Sequence, residues 1–195
     1  RGPGDGPAGP IGGTERTLGV GGEGTVRARG RGTSDVAVVS ATFATVEEAA
    51  RAAAVITSSG LHPAIMELIG DSAMAGIAAH LGIEHPGGSQ LIIQADGPGA
   101  RVEGEGILAV VRSLGGTAEL SLDRQEGERL FAIRRAFHPA VAELGTALIE
   151  DVCGPRSQVP ALFAAIGEIA AQCGHRIPTV AHACGCHLHP NIVCP

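Results

Sequence analysis

The sequence predicts an α+β domain, a mostly antiparallel sheet with helices packed on one face, and three observations carry that prediction. From Asp35 onward, strand-like runs alternate with helix-like runs between Gly, Pro and Asp punctuation. No glycine fingerprint of the dinucleotide-binding kind stands at a strand-to-helix turn, so a doubly wound parallel sheet has no support. Apolar residues make up 44% of the 195, yet the only aromatics are four Phe, so the core must be built from Ala, Val, Ile and Leu. That composition suits a tight alternation of helices and strands.

Each element follows from local pattern. Residues 35–43 read as a strand, and Thr45 with Glu48 forms a capping box opening a helix that runs to about Ser58 and closes at Gly60. Residues 61–69 are a second strand, and Asp71 caps a short helix ending at Leu81. After a loop over 82–88, residues 91–95 are strand and 100–114 are helix, stopped by Gly115 and Gly116. Residues 117–120 are a short strand, and Asp123 starts a helix through Glu143 that carries Arg134 and Arg135 and bends at His138-Pro139. Residues 146–152 are strand. Ser157 caps a helix over 159–173, whose Val159, Leu162, Phe163, Ile166, Ile169 and Cys173 form a core-facing stripe. Two last strands, 177–183 and 188–193, flank a turn rich in cysteine and histidine. Residues 1–34 are Gly-dominated without sustained period, and on composition alone they are expected to be poorly ordered.

The formal charge of −6 gives no electrostatic reason to expect nucleic acid or an anionic membrane as a partner, because both attract clustered Lys and Arg. No apolar run approaches the roughly 20 residues that span a bilayer, and the N-terminus lacks signal-peptide order. A cytoplasmic protein is expected. The five cysteines, an odd number crowded into the last quarter of the chain, do not make a disulfide framework.

Three features could carry chemistry. In His182-Ala183-Cys184-Gly185-Cys186-His187-Leu188-His189-Pro190, His182 and His189 stand at strand ends on either side of a tight turn. Their imidazoles could converge on one ion or one substrate atom, as metal ligands or proton carriers, or they could be strand-end residues with satisfied hydrogen bonds. Zinc held by Cys184 and Cys186 is a weaker reading, because C-x-C is tighter than the usual spacing and no second cysteine pair exists. Arg134, beside apolar Leu130 and Phe131, could hold a substrate carboxylate through two parallel hydrogen bonds or simply lie on a solvated face. Glu150-Asp151, at a strand end, could orient a histidine. His62, His80, His85, His138 and His175 have no partners legible from sequence.

Two stretches resemble a known family. Residues 149–157, with Glu150-Asp151-Val152 and Pro155-Arg156-Ser157, and the run from His182 to His189-Pro190-Asn191 are similar to the E-D-V-x-x-P-R-S and H-A-G-D-G-N-L-H-P-N signatures of FAD-linked oxidases. That family includes the D-subunit of glycolate oxidase, D-lactate dehydrogenase and D-2-hydroxyglutarate dehydrogenase. Ala41-Thr42-Phe43 and residues 65–69 look like the strand, helix and strand that open its C-terminal domain, and residues 13–20 look like G-T-E-G-T-L-G-V, its last flavin-contacting stretch.

The resemblance implies ferredoxin-like repeats, with residues 1–34 as the remnant of a flavin domain and 35–195 as a substrate-side domain, both ends being cut from a longer protein. It implies FAD-dependent oxidation of a D-2-hydroxy acid, of glycolate or D-lactate type, to the 2-oxo acid. Thr14, Gly19 and Val20 then match flavin-contacting positions, Arg134 the carboxylate-binding arginine, and His182 and His189 the histidines that bind a divalent ion (Zn, Fe or Mn) and serve catalysis. Partner subunits of a glycolate-oxidase-type complex are implied as well. The chain departs from the signature where Cys184, Gly185, Cys186 and His187 replace Gly-Asp-Gly-Asn, and where Arg16 replaces a glycine. A stand-alone or decayed metal-binding module without redox activity is the alternative.

Overall fold

Along residues 36–43, Ala37, Val39, Ala41 and Phe43 point to one side and Val38 to the other, and all five are buried. A period of two with both faces covered makes this a central strand. The computed structural model describes Thr25, residues 35–185 and 187–194. The chain divides into two units, 1–31 and 32–195, and apart from Thr25 the described residues belong to the second. Thr14, Gly19, Val20 and Cys186, with the reading of 1–34 as a flavin-domain remnant, fall outside the described residues apart from Thr25.

The elements run β1 (Val36–Phe43), α1 (Val46–Ser58), β2 (Ile65–Ile69), α2 (Asp71–Leu81), β3 (Ser89–Asp96), α3 (Ala100–Ser113), β4 (Thr117–Ser121), α4 (Arg124–Arg135), α5 (Phe137–Leu144), β5 (Thr146–Ile149), β6 (Val152–Cys153), α6 (Val159–Cys173), β7 (Thr179–His182) and β8 (His187–Cys194). One sheet takes the order β4-β1-β3-β2-β7-β8-β5, with β6 also paired to β8, and its ladders are antiparallel. The order β4-β1-β3-β2 with α1 and α3 as crossovers is a ferredoxin-like unit. The chain then continues the sheet through β7.

The α+β class stands, but the helices cover both faces of the sheet. One apolar cluster joins the Ala37 side of β1 to α1, α3 and α6, and a second joins Val38, Ile69, Ile92 and Val180 to α2, α4 and α5. The expectation of a single covered face missed that β1, β2 and β3 carry apolar residues on both sides. Each fully buried Ile or Leu on them contributes about 1.5–3 kcal/mol. The helix α3 lies so close to the sheet that a Cβ on Gly104 would stand 2.8 Å from Ala37 Cβ and 2.9 Å from a Leu120 methyl.

Capping decides several boundaries. Thr45 and Glu48 form the reciprocal box expected at the start of α1. The helix expected over 123–143 is interrupted at Ala136, because Pro139 has no N–H to offer the carbonyl of Arg135 four residues back. Gly70, not Asp71, is the N-cap of α2, and Asp71 instead accepts from Gly88 N at 2.7 Å. Ser157 lies in a one-turn 3-10 helix, Arg156–Gln158, and Gln158 takes the cap position of α6. On α6 the expected stripe holds for Val159, Leu162, Phe163 and Ile166, whereas Ile169 and Cys173 are exposed.

Candidate active site on the second sheet face

Register brings the site together. In the β2–β7 ladder Glu67 is paired with His182, and in the β7–β8 ladder Val180 is paired with His189. Ile69, Val180 and Val193 belong to the second apolar cluster, so alternation places Glu67, His182, His189 and Asn191 on that same face. The helix pair α4–α5 packs over this face through Phe131 and Phe137 and delivers Arg134 from its last turn, where the helix dipole favours a cation.

Glu67 is the centre of the cluster. It is 8% exposed, and each of its oxygens takes a different donor. Arg134 Nε donates to Oε2 at 2.9 Å, and His182 Nδ1 lies 2.6 Å from Oε1. The Arg134 guanidinium also stands 5.7 Å from the centroid of the Phe137 ring. His189 meets Asp151 through Nδ1 and Oδ1, and its ring lies edge-on to that of His182 with centroids 4.9 Å apart. The Nε2 of His189 is buried and has no hydrogen-bond partner among the described residues. With a carboxylate at Nδ1, the Nδ1–H tautomer is favoured and Nε2 keeps its lone pair.

Other residues frame the cluster. Asn191, fully buried, donates from Nδ2 to the His189 carbonyl at 2.8 Å, while its Oδ1 has no partner among the described residues. His187 reaches the edge of the group, with its ring centroid 6.3 Å from that of His189. Arg156 donates to the Cys184 carbonyl at 3.0 Å and so ties the 3-10 turn to the turn between β7 and β8. His138 holds its pKa below 6.5 through partial desolvation, with the Arg134 charge and then His189 acting in the same direction.

Sequence reasoning identified Arg134, His182 and His189, and the structure gathers these three. It missed Glu67, a single acid inside an apolar strand whose meaning depends on its cross-strand neighbour, and it assigned no role to His138 or Asn191. A carboxylate surrounded by Met66, Leu68 and Ile69 was the available signal, because such a group is rarely buried unpaired. Arg135 points elsewhere, pairing with Glu128 at 3.3 Å. Two of the histidines without a legible partner also pair away from the cluster, His80 with Glu143 and His85 with Asp71.

Two imidazoles converge, but among the described residues no group of three or more His, Cys, Asp or Glu side chains is arranged to hold an ion. Cys184 packs against the first apolar cluster.

Residues 33–195 match the family model described as FAD linked oxidases, C-terminal domain. The chain belongs to this family. Its domain is 29% identical over 187 residues to the glycolate oxidase subunit GlcD of Bacillus subtilis strain 168, an alignment covering 92% of this chain and 39% of that protein. The FAD-linked oxidase domain thus spans well under half of its curated relative. In structure it is similar to an alkyldihydroxyacetonephosphate synthase, with TM-score 0.59, 13% identity, and coverage of 82% of this chain and 36% of the other. It is also similar to a 4-ethylphenol oxidase from Gulosibacter chungangensis, with TM-score 0.50, 12% identity, and coverage of 83% and 39%. At such identities these two likenesses speak to the fold. Among the described residues no helix is long and apolar enough to cross a membrane.

Proposed function

We propose that this chain is the substrate-side domain of an FAD-dependent oxidoreductase that converts a D-2-hydroxy acid of glycolate or D-lactate type into the 2-oxo acid. The observation that carries the reading is the convergence of Arg134, Glu67, His182 and His189 on one sheet face. Family membership supplies the redox context, and the likeness to GlcD supports a small hydroxy acid as substrate and assembly with other subunits. A cytoplasmic location goes with that reading.

The chemistry divides between the residues. FAD, which family membership implies and for which Thr14, Gly19 and Val20 are the proposed contacting positions, would supply the acceptor for the hydride that leaves C2. The two Nη groups of Arg134, which make no hydrogen bond to Glu67, hold the substrate carboxylate. The Nε2 of His189 takes the hydroxyl proton as the C2–O bond becomes a carbonyl, with the His182 ring beside it on the neighbouring strand. Asp151, at Nδ1 of His189, stabilises the imidazolium that forms.

Anaerobic mixing of the full-length flavoprotein carrying this chain with glycolate, D-lactate and L-lactate tests the proposal. Flavin bleaching by a D-2-hydroxy acid, or by glycolate, with loss of that bleaching in Arg134→Met, is expected. Bleaching by neutral alcohols or phenols in preference to hydroxy acids would remove the carboxylate clamp from the account.

A further inference from the structure

We infer that the cleft at the end of the sheet, between α2 and α6, is a second ligand site. It is built for an aliphatic carboxylate whose head group meets the N-terminus of α2 and Ser89 and whose chain lies between the two helices. Nothing in it rests on the reading of the other sheet face as a hydroxy-acid site.

Strand register makes the head-group end. The β2–β3 ladder closes at Ile69 with Gln90 and the β2–β7 ladder at Ile69 with Val180, so the next row across the three strands is Ser89, Gly70 and Thr179. Alternation with Leu91, Leu68 and Ala181 puts this row on the first sheet face, away from Glu67, His182 and His189. The Gly70 N–H donates to the Thr179 carbonyl at 3.1 Å, and the Thr179 hydroxyl donates to the Ile177 carbonyl at 3.0 Å. Ser89 differs, since it is fully buried, lines the cleft, and has a hydroxyl without a partner among the described residues. Burying a hydroxyl unpaired costs free energy that a ligand oxygen restores.

Charge at this end favours an anion. Gly70, the N-cap of α2, brings no capping side chain, so the N–H groups of the first turn have no acceptor from the helix and the dipole adds positive potential. The acid of that turn, Asp71, is already held by Gly88 N at 2.7 Å and His85 Nε2 at 2.9 Å. Arg176 also lines the cleft, and its guanidinium makes no ion pair among the described residues.

The rest of the cleft is apolar. Its volume is about 690 Å³, inside the range of roughly 300–1,000 Å³ for small-molecule sites. Ala75, Gly76 and Ala79 on α2 and Ile166, Gly167 and Ala170 on α6 wall it, each set on one helix face at the same spacing. A Cβ on Gly76 or Gly167 would meet nothing within 4 Å, so these walls stand apart instead of packing. An amphiphile with an anionic head fits such a space, apolar along its length and polar at one end.

Isothermal titration calorimetry of the full-length flavoprotein with decanoate, and with decanol and decylamine as controls, tests the inference below their micellar range. One saturable decanoate site is expected, about 10-fold tighter than that for decanol, with no binding of decylamine. Gly76→Leu and Gly167→Leu fill the cleft from opposite walls, and each is expected to weaken decanoate by about 10-fold or more without lowering the melting temperature. Ser89→Ala should weaken it by about 3- to 10-fold. No decanoate binding, binding unmoved by both leucine variants, or decylamine bound as tightly as decanoate would overturn the site. Absent binding beside lowered melting temperatures in both leucine variants would overturn it in favour of another segment of the longer protein packed into the cleft.

Discussion

His182 and His189, on neighbouring strands, meet edge to face with ring centroids 4.9 Å apart and planes at 77°, and each turns Nδ1 to a different carboxylate. Glu67 reaches His182 from β2, and Asp151 reaches His189 from the segment between β5 and β6. Two imidazoles are thereby oriented independently, each by its own carboxylate. A single misassigned tautomer would spoil the pair, and several of the expected mutant effects follow from that.

Asp151→Asn is expected to place an amide donor at Nδ1 of His189 and move its proton to Nε2. Flavin reduction in the full-length protein should fall by about 10- to 100-fold. Because the Asp151 side chain is 51% exposed, the pair adds little to stability, about 1 kcal/mol or less. A melting curve matching that of the unmodified protein, beside lost activity, is the expected pattern, and unchanged activity would contradict it.

Glu67 and Arg134 form a pair in which both side chains are nearly buried, at 11% and 14% exposure. Arg134→Met leaves the nearly buried Glu67 carboxylate with the His182 imidazole as its remaining partner and is expected to cost about 3 kcal/mol. Combining it with Glu67→Leu should recover part of that loss, since no charge is then left unpaired. Urea titration of the four proteins measures the cycle, and strictly additive losses would show that the two residues do not interact.

Much of this was legible in sequence, and the reasons differ by residue. Thr45 and Glu48 announce α1 because a capping box is local, and His182 and His189 are visible because a short turn must bring the ends of its two strands together. The helix break at Ala136 was misplaced by about half a turn, since Pro139 shows that a carbonyl is lost without showing which residue absorbs the bend. Glu67 stood out only as an acid in an apolar strand, because its partners lie 67 and 115 residues away. The second covered face was missed although residues 36–39 and 91–93 are apolar on both sides, the pattern of strands buried on both faces.

His138 makes a pH prediction. Its folded pKa is lowered from 6.5, by desolvation first and by Arg134 and His189 next. As pH falls below 6.5 the unfolded chain takes up this proton before the folded one does, so stability present at higher pH is lost as pH drops through the folded value. His138→Gln is expected to flatten the dependence of the urea midpoint on pH between 7.5 and 5. A slope that stays the same in the variant would assign the effect to other groups.

Gly104 and Gly76 separate packing from helix propensity. Ala at Gly104 would set a methyl 2.8 Å from Ala37 Cβ, and the overpacking is expected to cost about 1–3 kcal/mol. Ala at Gly76, inside α2 with nothing within 4 Å, is expected to gain about 0.5–1 kcal/mol. Thermal melts should therefore move in opposite directions, and a shared direction would contradict the close approach of α3 to the sheet.

The most direct test of the account is a crystal structure of the full-length flavoprotein, its flavin chemically reduced, with glycolate or D-lactate or an analogue that keeps the 2-hydroxyl bound. The account predicts one carboxylate on the Nη edge of Arg134 and the substrate-like oxygen within hydrogen-bond distance of His189 Nε2. An analogue bound away from Arg134, with His189 Nε2 making no contact to it, would contradict the assignment of this sheet face as the active site.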